Sequence, residues 1–357
     1  VDMNNDGALD ILAASRHSDN IVWYENLGNH EFIEHVVVTY SYGEYIHYDD
    51  IDQDEDMDVI YASYYDHSVY WYENDGNEEF TEHMISDNAY DAWSVYSIDM
   101  DSDGDIDVLS ASNHDNKIAW YENNGNQEFN EFIISSNADT AWDVFAIDLD
   151  NDGDIDVLSA SEGDNKIAWY ENDGNENFTE NIVSINAMKA HSVFAIDIDM
   201  DNDIDILSAS MEDNKISLYK NDGTQNFIEY IISDDALTAF DVHSSDIDGD
   251  GDNDIISASG GDNKISWYEN ILEGCTDEES CNYNPNAELD DGSCLYDDCL
   301  SELLGDLNGD GLINIVDIVQ LVNHIINFNE YNQIADTNED GQINVVDIVT
   351  LINWILE

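Results

Sequence analysis

An acidic loop recurs along this chain at nearly constant spacing, and that recurrence restricts the fold more than any other feature. Its first aspartate stands at Asp2, Asp50, Asp99, Asp148, Asp197 and Asp246, with one interval of 48 residues and four of 49. Equal intervals over so much chain mean one supersecondary unit copied end to end. Each full interval carries four short runs rich in Val, Ile, Tyr, Phe and Trp, as in AWDVFAID, DVLSAS, KIAWYEN and FTENIVS between residues 141 and 184. Such runs, separated by turn residues, predict four antiparallel strands. Asn-Asp-Gly or Asn-Asn-Gly stands between the third and fourth runs of most units, supplying the positive φ of a tight hairpin. A single proline in the whole chain leaves the ladders uninterrupted.

Period and strand count together match a blade of a β-propeller. The expected class is therefore mainly β, with six four-stranded blades visible across residues 1–270. Val1 falls where an innermost strand would end, and the sixth unit stops after its third strand at Asn270. A ring must close to hide its edges, so further residues are expected upstream, and a parent ring of seven blades accommodates this phase.

The loops carry the chemistry. Asp99, Asp101, Asp103 and Asp107 occupy positions 1, 3, 5 and 9 of a DxDxDGxxD loop, with Gly104 at position 6. A hard cation such as Ca²⁺ needs several oxygens on a small sphere, and alternate carboxylates curled around a glycine turn provide them. The charge thus reads as a coordination shell whose neutralisation lets the adjoining DVLSAS be buried. Asp148, Asp150, Asp152 and Asp156 repeat the pattern, as do Asp246, Asp248, Asp250 and Asp254. The first loop has Asp2, Asn4, Asp6 and Asp10. The second has Asp50, Asp52, Asp54 and Asp58 with Glu55 in place of glycine, and the fifth has Asp197, Asp199, Asp201 and Asp205 with Asn202 there. Asn tolerates the left-handed conformation better than Glu does. The competing reading is a set of solvated acidic turns without an ion. On these residues, residues 1–270 resemble the FG-GAP or VCBS repeat family, the calcium-bearing propellers of secreted and surface proteins that include the integrin head. That resemblance implies calcium between the first and second strands of each blade, on the face opposite the usual ligand face.

After Asn270 the pattern changes. Cys275, Cys281, Cys294 and Cys299 are spaced C-x5-C-x12-C-x4-C, without the close CxxC pairs favoured by structural zinc. Two disulfides in a module over 271–301 are expected, with three pairings open. The stretch resembles short GCTD…CNYNP…DDGSC modules of secreted proteins from marine bacteria. From 302 to 357 the period becomes helical. DLNGDGLINIVD and DTNEDGQINVVD start 30 residues apart. They offer oxygens at positions 1, 3, 5, 9 and 12: Asp306, Asn308, Asp310, Asn314 and Asp317, then Asp336, Asn338, Asp340, Asn344 and Asp347. Both have glycine at position 6, as an EF-hand loop requires, and each runs straight into one apolar helix. The duplicated loop-helix pattern resembles a dockerin, which implies calcium and a cohesin partner. Where dockerins commonly carry Ser-Thr pairs, Ile315 and Val316, then Val345 and Val346, stand here. These residues either meet an apolar partner surface or fill the two-helix core.

Trp23, Trp71, Trp120, Trp169 and Trp267 recur at one strand position, with Leu218 in the fifth unit, and are expected to pack between blades. Irregular aromatics near the loops, namely Tyr42, Tyr45, Tyr64, Tyr65, Tyr90, Trp93, Trp142, His191 and Phe240, are the candidates for ligand contact. No nucleophile elbow, HExxH or P-loop occurs, and the repeat accounts for most carboxylates that might otherwise suggest a glycosidase pair. A non-enzyme is expected.

With 83 acidic residues against 7 basic ones the formal charge is -76, which repels nucleic acid and anionic lipid. No run of about 18 apolar residues could span a bilayer. Eight divalent ions would still leave about -60, pointing to a saline habitat and a marine or halophilic bacterium. The expected protein is a secreted or cell-surface calcium-binding adhesion or scaffold protein. Its propeller face would bind a glycan or a protein, and its tail would bind a cohesin-like partner or another copy. Two alternatives remain: the non-catalytic part of an extracellular polysaccharide-degrading enzyme, and a self-assembling surface or filament component.

Overall fold

A computed structural model describes residues 1–15, 20–39, 43–77, 79–270, 273–275, 277, 280, 289–290, 294, 305, 307, 313, 315–326, 335–338 and 342–356. The chain divides into two compact units, Val1–Asn270 and Ile271–Glu357.

The first unit is a propeller of six blades. Four blades are complete. They comprise Gly43–Asp49, Asp58–Ser63, Ser68–Asn74 and Phe80–Ser86; Ala92–Ile98, Asp107–Ser112, Lys117–Asn123 and Phe129–Ser135; Ala141–Ile147, Asp156–Ser161, Lys166–Asn172 and Phe178–Ser184; and Ala190–Ile196, Asp205–Ser210, Lys215–Asn221 and Phe227–Ser233. The first blade has three strands, Ile11–Ser15, Asn20–Asn26 and Phe32–Thr39, as does the sixth, Ala239–Ser245, Asp254–Ser259 and Lys264–Tyr268. Strands adjacent in sequence pair antiparallel within each blade.

Both faces of each of the four complete sheets pack on neighbouring blades, so their second strand is buried throughout instead of alternating. DVLSAS suits that place. Its branched residues fill space, and its serine hydroxyl meets a buried tyrosine, Ser110 to Tyr121 at 3.1 Å. The core is a series of seams between blades. Around Trp120 gather Leu109 and Ile118 of its own blade and Ala138, Ala141, Val144, Val157, Ala168 and Tyr170 of the next. Trp23 and Trp71 fill the same position, each stacked on an outer-strand histidine, His35 and His83. The expected packing role of the tryptophans holds for four blades, and the sixth shows why. With no blade following it, Trp267 is 50% exposed, and Ile265, whose counterparts Ile118 and Ile167 are fully buried, is 75% exposed. Ile11 at the opposite end of the array is exposed where Val59 and Val108 are buried.

In the second unit Cys275 and Cys294 form a disulfide; Cys281 and Cys299 lie outside the described residues. Helices α1 (Ile315–Ile326) and α2 (Val345–Leu356) pack through Leu321, Ala335 and Leu351, flanked by Ile318, Ile325 and Ile348. Among the described residues no helix is long and apolar enough to cross a membrane.

Candidate functional site

Each acidic loop from the second blade on follows the innermost strand of its blade and returns into the second, and the first loop leads into Ile11–Ser15 in the same way. Its geometry is set by internal hydrogen bonds. Position 1 accepts the amides of positions 5 and 6, as Asp99 does from Asp103 at 3.1 Å and Gly104 at 3.0 Å. Position 5 accepts the amide of position 7, as Asp103 does from Asp105 at 2.9 Å. The last carboxylate reaches inward. Asp107 accepts the amide of Met100 and, across the blade, that of Asn123 at 2.7 Å, and Asp10, Asp58, Asp156, Asp205 and Asp254 repeat this link.

Positions 1, 3 and 9 thereby present oxygens within 4.8 Å of one another in Asp50, Asp52 and Asp58, in Asp99, Asp101 and Asp107, in Asp148, Asp150 and Asp156, and in Asp197, Asp199 and Asp205. In the sixth blade the cluster is Asp246, Asp248 and Asp250. Asp54, Asp103, Asp152 and Asp201 stand beside these clusters with one oxygen committed to the loop backbone. Asp2, Asp6 and Asp10 of the first loop accept the same set of backbone amides, Asp6 that of Ala8. Glu55 and Asn202 adopt φ of 78° and 71°, the left-handed conformation that Gly104 takes at 97°. The second loop therefore has the same turn as the others, despite its glutamate.

Burial pushes Asp58 up to about 8, and Asp107, Asp156 and Asp205 up to about 7. Carboxylates taken from water among like charges call for a positive partner. Oδ1 of Asp52 and both oxygens of Asp252, which is 2% exposed, are buried without a hydrogen-bond partner. Orphaned oxygens in a carboxylate cluster fit a hard, oxygen-seeking cation.

Several features were missed at the level of sequence. The side chain at position 4, held outward by positive φ, reaches the next blade's loop. Asn5 donates to the Glu55 carbonyl and Asp56, Gln53 to the Gly104 carbonyl, and Asn151 to the Asn202 carbonyl. Asn123 of WYEN likewise donates to the Ile51 carbonyl of the preceding blade's loop. Position 7 explains a glycine: a Cβ on Gly125 would lie 2.5 Å from an Asp105 oxygen, so the hairpin tip can pass over the loop only without a side chain.

The aromatic candidates divide. Trp93, Trp142, His191 and Phe240 touch ring to ring from blade to blade, tilted, stacked and edge-to-face in turn, with centroid separations of 4.0, 4.3 and 4.6 Å, and with Tyr45, Met211 and Asp241 they line a cavity of about 520 Å³. Burial holds His191 below the usual histidine range, and its Nδ1 donates to the Phe240 carbonyl. Tyr64 packs against Trp93, whereas Tyr65 and Tyr90 are exposed away from the cavity lining. Tyr42 lies outside the described residues. Below this tier His47, Tyr96, Phe145, Phe194 and His243 form a second run of touching rings. Their constant interval of 49 was the available signal. Asp143, accepting Ser94 Oγ and the Val193 amide, ties three blades together between the tiers.

In the tail, Asp317 accepts the Leu307 amide and Asp347 those of Asn338 and Asn344, while Asn344 caps α2 through the Val346 amide. Asp336 is buried. Asp306, Asn308, Asp310, Asn314 and Asp340 lie outside the described residues. Ile315 and Val345 are 66% and 65% exposed, with Val316, Val319, Val346 and Val349 beside them. They do not fill the two-helix core.

Residues 50–110, 99–159, 148–208 and 197–257, together more than half of the chain, match the FG-GAP-like repeat. The chain belongs to the FG-GAP-like repeat family. Residues 304–356 of this FG-GAP-like protein match the dockerin type I domain. No curated protein matches it. Among solved structures, the FG-GAP-like chain is similar to an Agrocybe aegerita lectin that recognises non-reducing terminal N-acetylglucosamine, at 18% identity and a TM-score of 0.50, covering 70% of this chain and 74% of the lectin. A Lactobacillus plantarum protein is 11% identical with a TM-score of 0.51, covering 73% and 80%. At these identities the likeness is one of fold.

Proposed function

We propose that this protein is a secreted or surface-attached, calcium-loaded, non-enzymatic assembly component, whose dockerin-type tail docks onto a cohesin-like receptor while the propeller presents a ligand-binding face. The observation that carries the reading is the paired outward set Ile315 and Val316, Val345 and Val346, borne on the two loop-helix units that match the dockerin domain. β-Branched residues this exposed at matched positions favour a partner with an apolar docking face. A charge of -76 opposes a second copy as that partner.

Eight loops carry the calcium-ligand pattern, six in the propeller and two in the tail. The cavity lined by Trp93, Trp142, His191 and Phe240 is of the size that holds a small ligand, and a glycan or a partner's side chain is its proposed occupant. Among the described residues its lining has one carboxylate, Asp241, and no lysine or arginine, so anionic ligands are disfavoured.

The test is capture of cohesin-like receptors by the full chain, in calcium and in chelator, with Ile315→Asp combined with Val345→Asp as the surface variant. Calcium-dependent capture lost in the variant is expected. Capture indifferent to both changes would sink the proposal, as would light scattering that shows the chain associating with itself instead.

A further inference from the structure

Five of the six blades carry a glutamate at one position of the WYEN motif; the fifth carries a lysine. The motif places Glu25, Glu73, Glu122, Glu171 and Glu269, whereas blade five reads LYKN with Lys220. In the first four blades the glutamate lies by loop position 3. Asn4 donates to Glu25, and the charges of Glu73, Glu122 and Glu171 act on Asp52, Asp101 and Asp150. In blade five the same place brings the Lys220 ammonium onto Asp199, at position 3, with Asp201, at position 5, 3.6 Å away. Asp197, Asp199 and Asp205 still converge as in the other blades.

We propose that Lys220 is a built-in cation that takes the place of the metal in blade five, so that the propeller holds five calcium ions and not six. The ammonium offsets the loop's carboxylates permanently and engages Asp199, which a bound ion would need. A divalent ion entering the loop would have to break that pair and then sit a few ångströms from a like charge. That repulsion alone weakens binding by more than about tenfold even at the dielectric of water. The glutamates elsewhere do the reverse, adding a negative charge, and in reach an oxygen, to sites already disposed to bind. The fifth loop also holds Asn202 where loops three, four and six hold glycine. The loop of blade five thus has its charge offset without calcium, next to loops that rely on the ion for it.

This inference rests on the loops being calcium sites, and its test separates the two ideas. Native mass spectrometry of the full chain, at calcium just sufficient to saturate binding, counts the ions. The expected result is one more ion in Lys220→Glu than in the parent, and one fewer in Glu171→Lys, which installs the lysine in blade four. Lys220→Met guards against a folding artefact: it removes the ammonium without supplying an oxygen, and it is expected to bind the extra ion with an affinity between those of parent and Lys220→Glu. Equal counts in parent, Lys220→Glu and Lys220→Met would overturn the role of Lys220 while leaving the calcium reading standing. No bound ions in any form would overturn both.

Discussion

The propeller loops and the tail loops share a chemistry but not a foundation. Each propeller loop of the inner blades sits on a sheet whose faces are buried against neighbours, and its last aspartate is pinned by an amide from its own third strand, as Asp107 is by Asn123. The two tail loops rest on a small core in which, among the described residues, the fully buried apolar ones are Leu321, Ala335 and Leu351. A core of that size cannot outweigh the conformational entropy of ordering two helices. In the propeller a cation would relieve repulsion within a fold that other forces also hold. In the tail, the binding free energy of an ion would be most of the folding free energy. On the proposed calcium reading, the same ligand pattern would serve as reinforcement in one region and as the main source of stability in the other.

Removing calcium gives the largest predicted effect and tests that contrast directly. In excess chelator, amide exchange in α1 and α2 is expected to lose all protection, while the central strands of blades three and four stay protected and melt at a temperature lower by many degrees. A tail that kept its protection would break the comparison. So would a propeller that unfolded together with it.

The next effect compares the middle of the array with its end. Trp120→Ala opens a cavity in a closed seam and should cost about 3–5 kcal/mol, whereas Trp267→Ala on the uncovered face should cost less than about 1 kcal/mol. Urea titrations in saturating calcium measure both. A large loss at Trp267 would mean that this face is covered in solution.

Much of this was readable from the chain before any coordinates, for a physical reason. A repeat imposes the same environment at the same position, so the 49-residue interval displays loop, strand and turn six times over, and chance resemblance averages out. Two kinds of feature escaped. One is contact between blades: the reach of Gln53 to the Gly104 carbonyl joins residues far apart in sequence, at a position where the blades carry Asn, Gln, Ser, Asn, Met and Gly in turn. The other is the balance between core and surface on a short helix. Ile315 and Val316 are as apolar as Ile318 and Leu321, and only the angle at which two helices meet decides which pair turns outward. The convergence of the loop carboxylates, by contrast, was legible because their spacing is local.

Asp143 gives a pH-dependent effect of intermediate size. Burial pushes its carboxyl up to about 6, against an unfolded value near 3.8. The native state thus binds this proton more tightly than the unfolded chain does, so its contribution to stability is present at low pH and is lost as pH rises through about 6. The loss amounts to no more than about 3 kcal/mol. In saturating calcium, where loop carboxylates stay ionised, Asp143→Asn should remove this fall in stability between pH 4 and pH 6. An unchanged slope would assign the titration to another group.

The smallest effect concerns the turn that distinguishes the second loop from the third. Glu55 holds φ of 78° and Gly104 holds 97°, so a glutamate bears a conformation that elsewhere is given to glycine. A left-handed conformation costs an L-residue about 1–2 kcal/mol. Glycine would remove that strain but would gain about 0.4–1 kcal/mol of freedom in the unfolded chain. Glu55→Gly is therefore expected to stabilise the protein by less than about 1 kcal/mol. The mirror substitution, Gly104→Ala, should destabilise, because 97° lies beyond the range that a side chain tolerates easily and that strain outweighs the freedom which alanine removes from the unfolded chain. Denaturant midpoints of the two variants should move in opposite directions. If Glu55→Gly proved strongly destabilising, the carboxylate of Glu55 would have to be acting on the cation itself, and the second loop would then hold its ion by a different ligand set from the third.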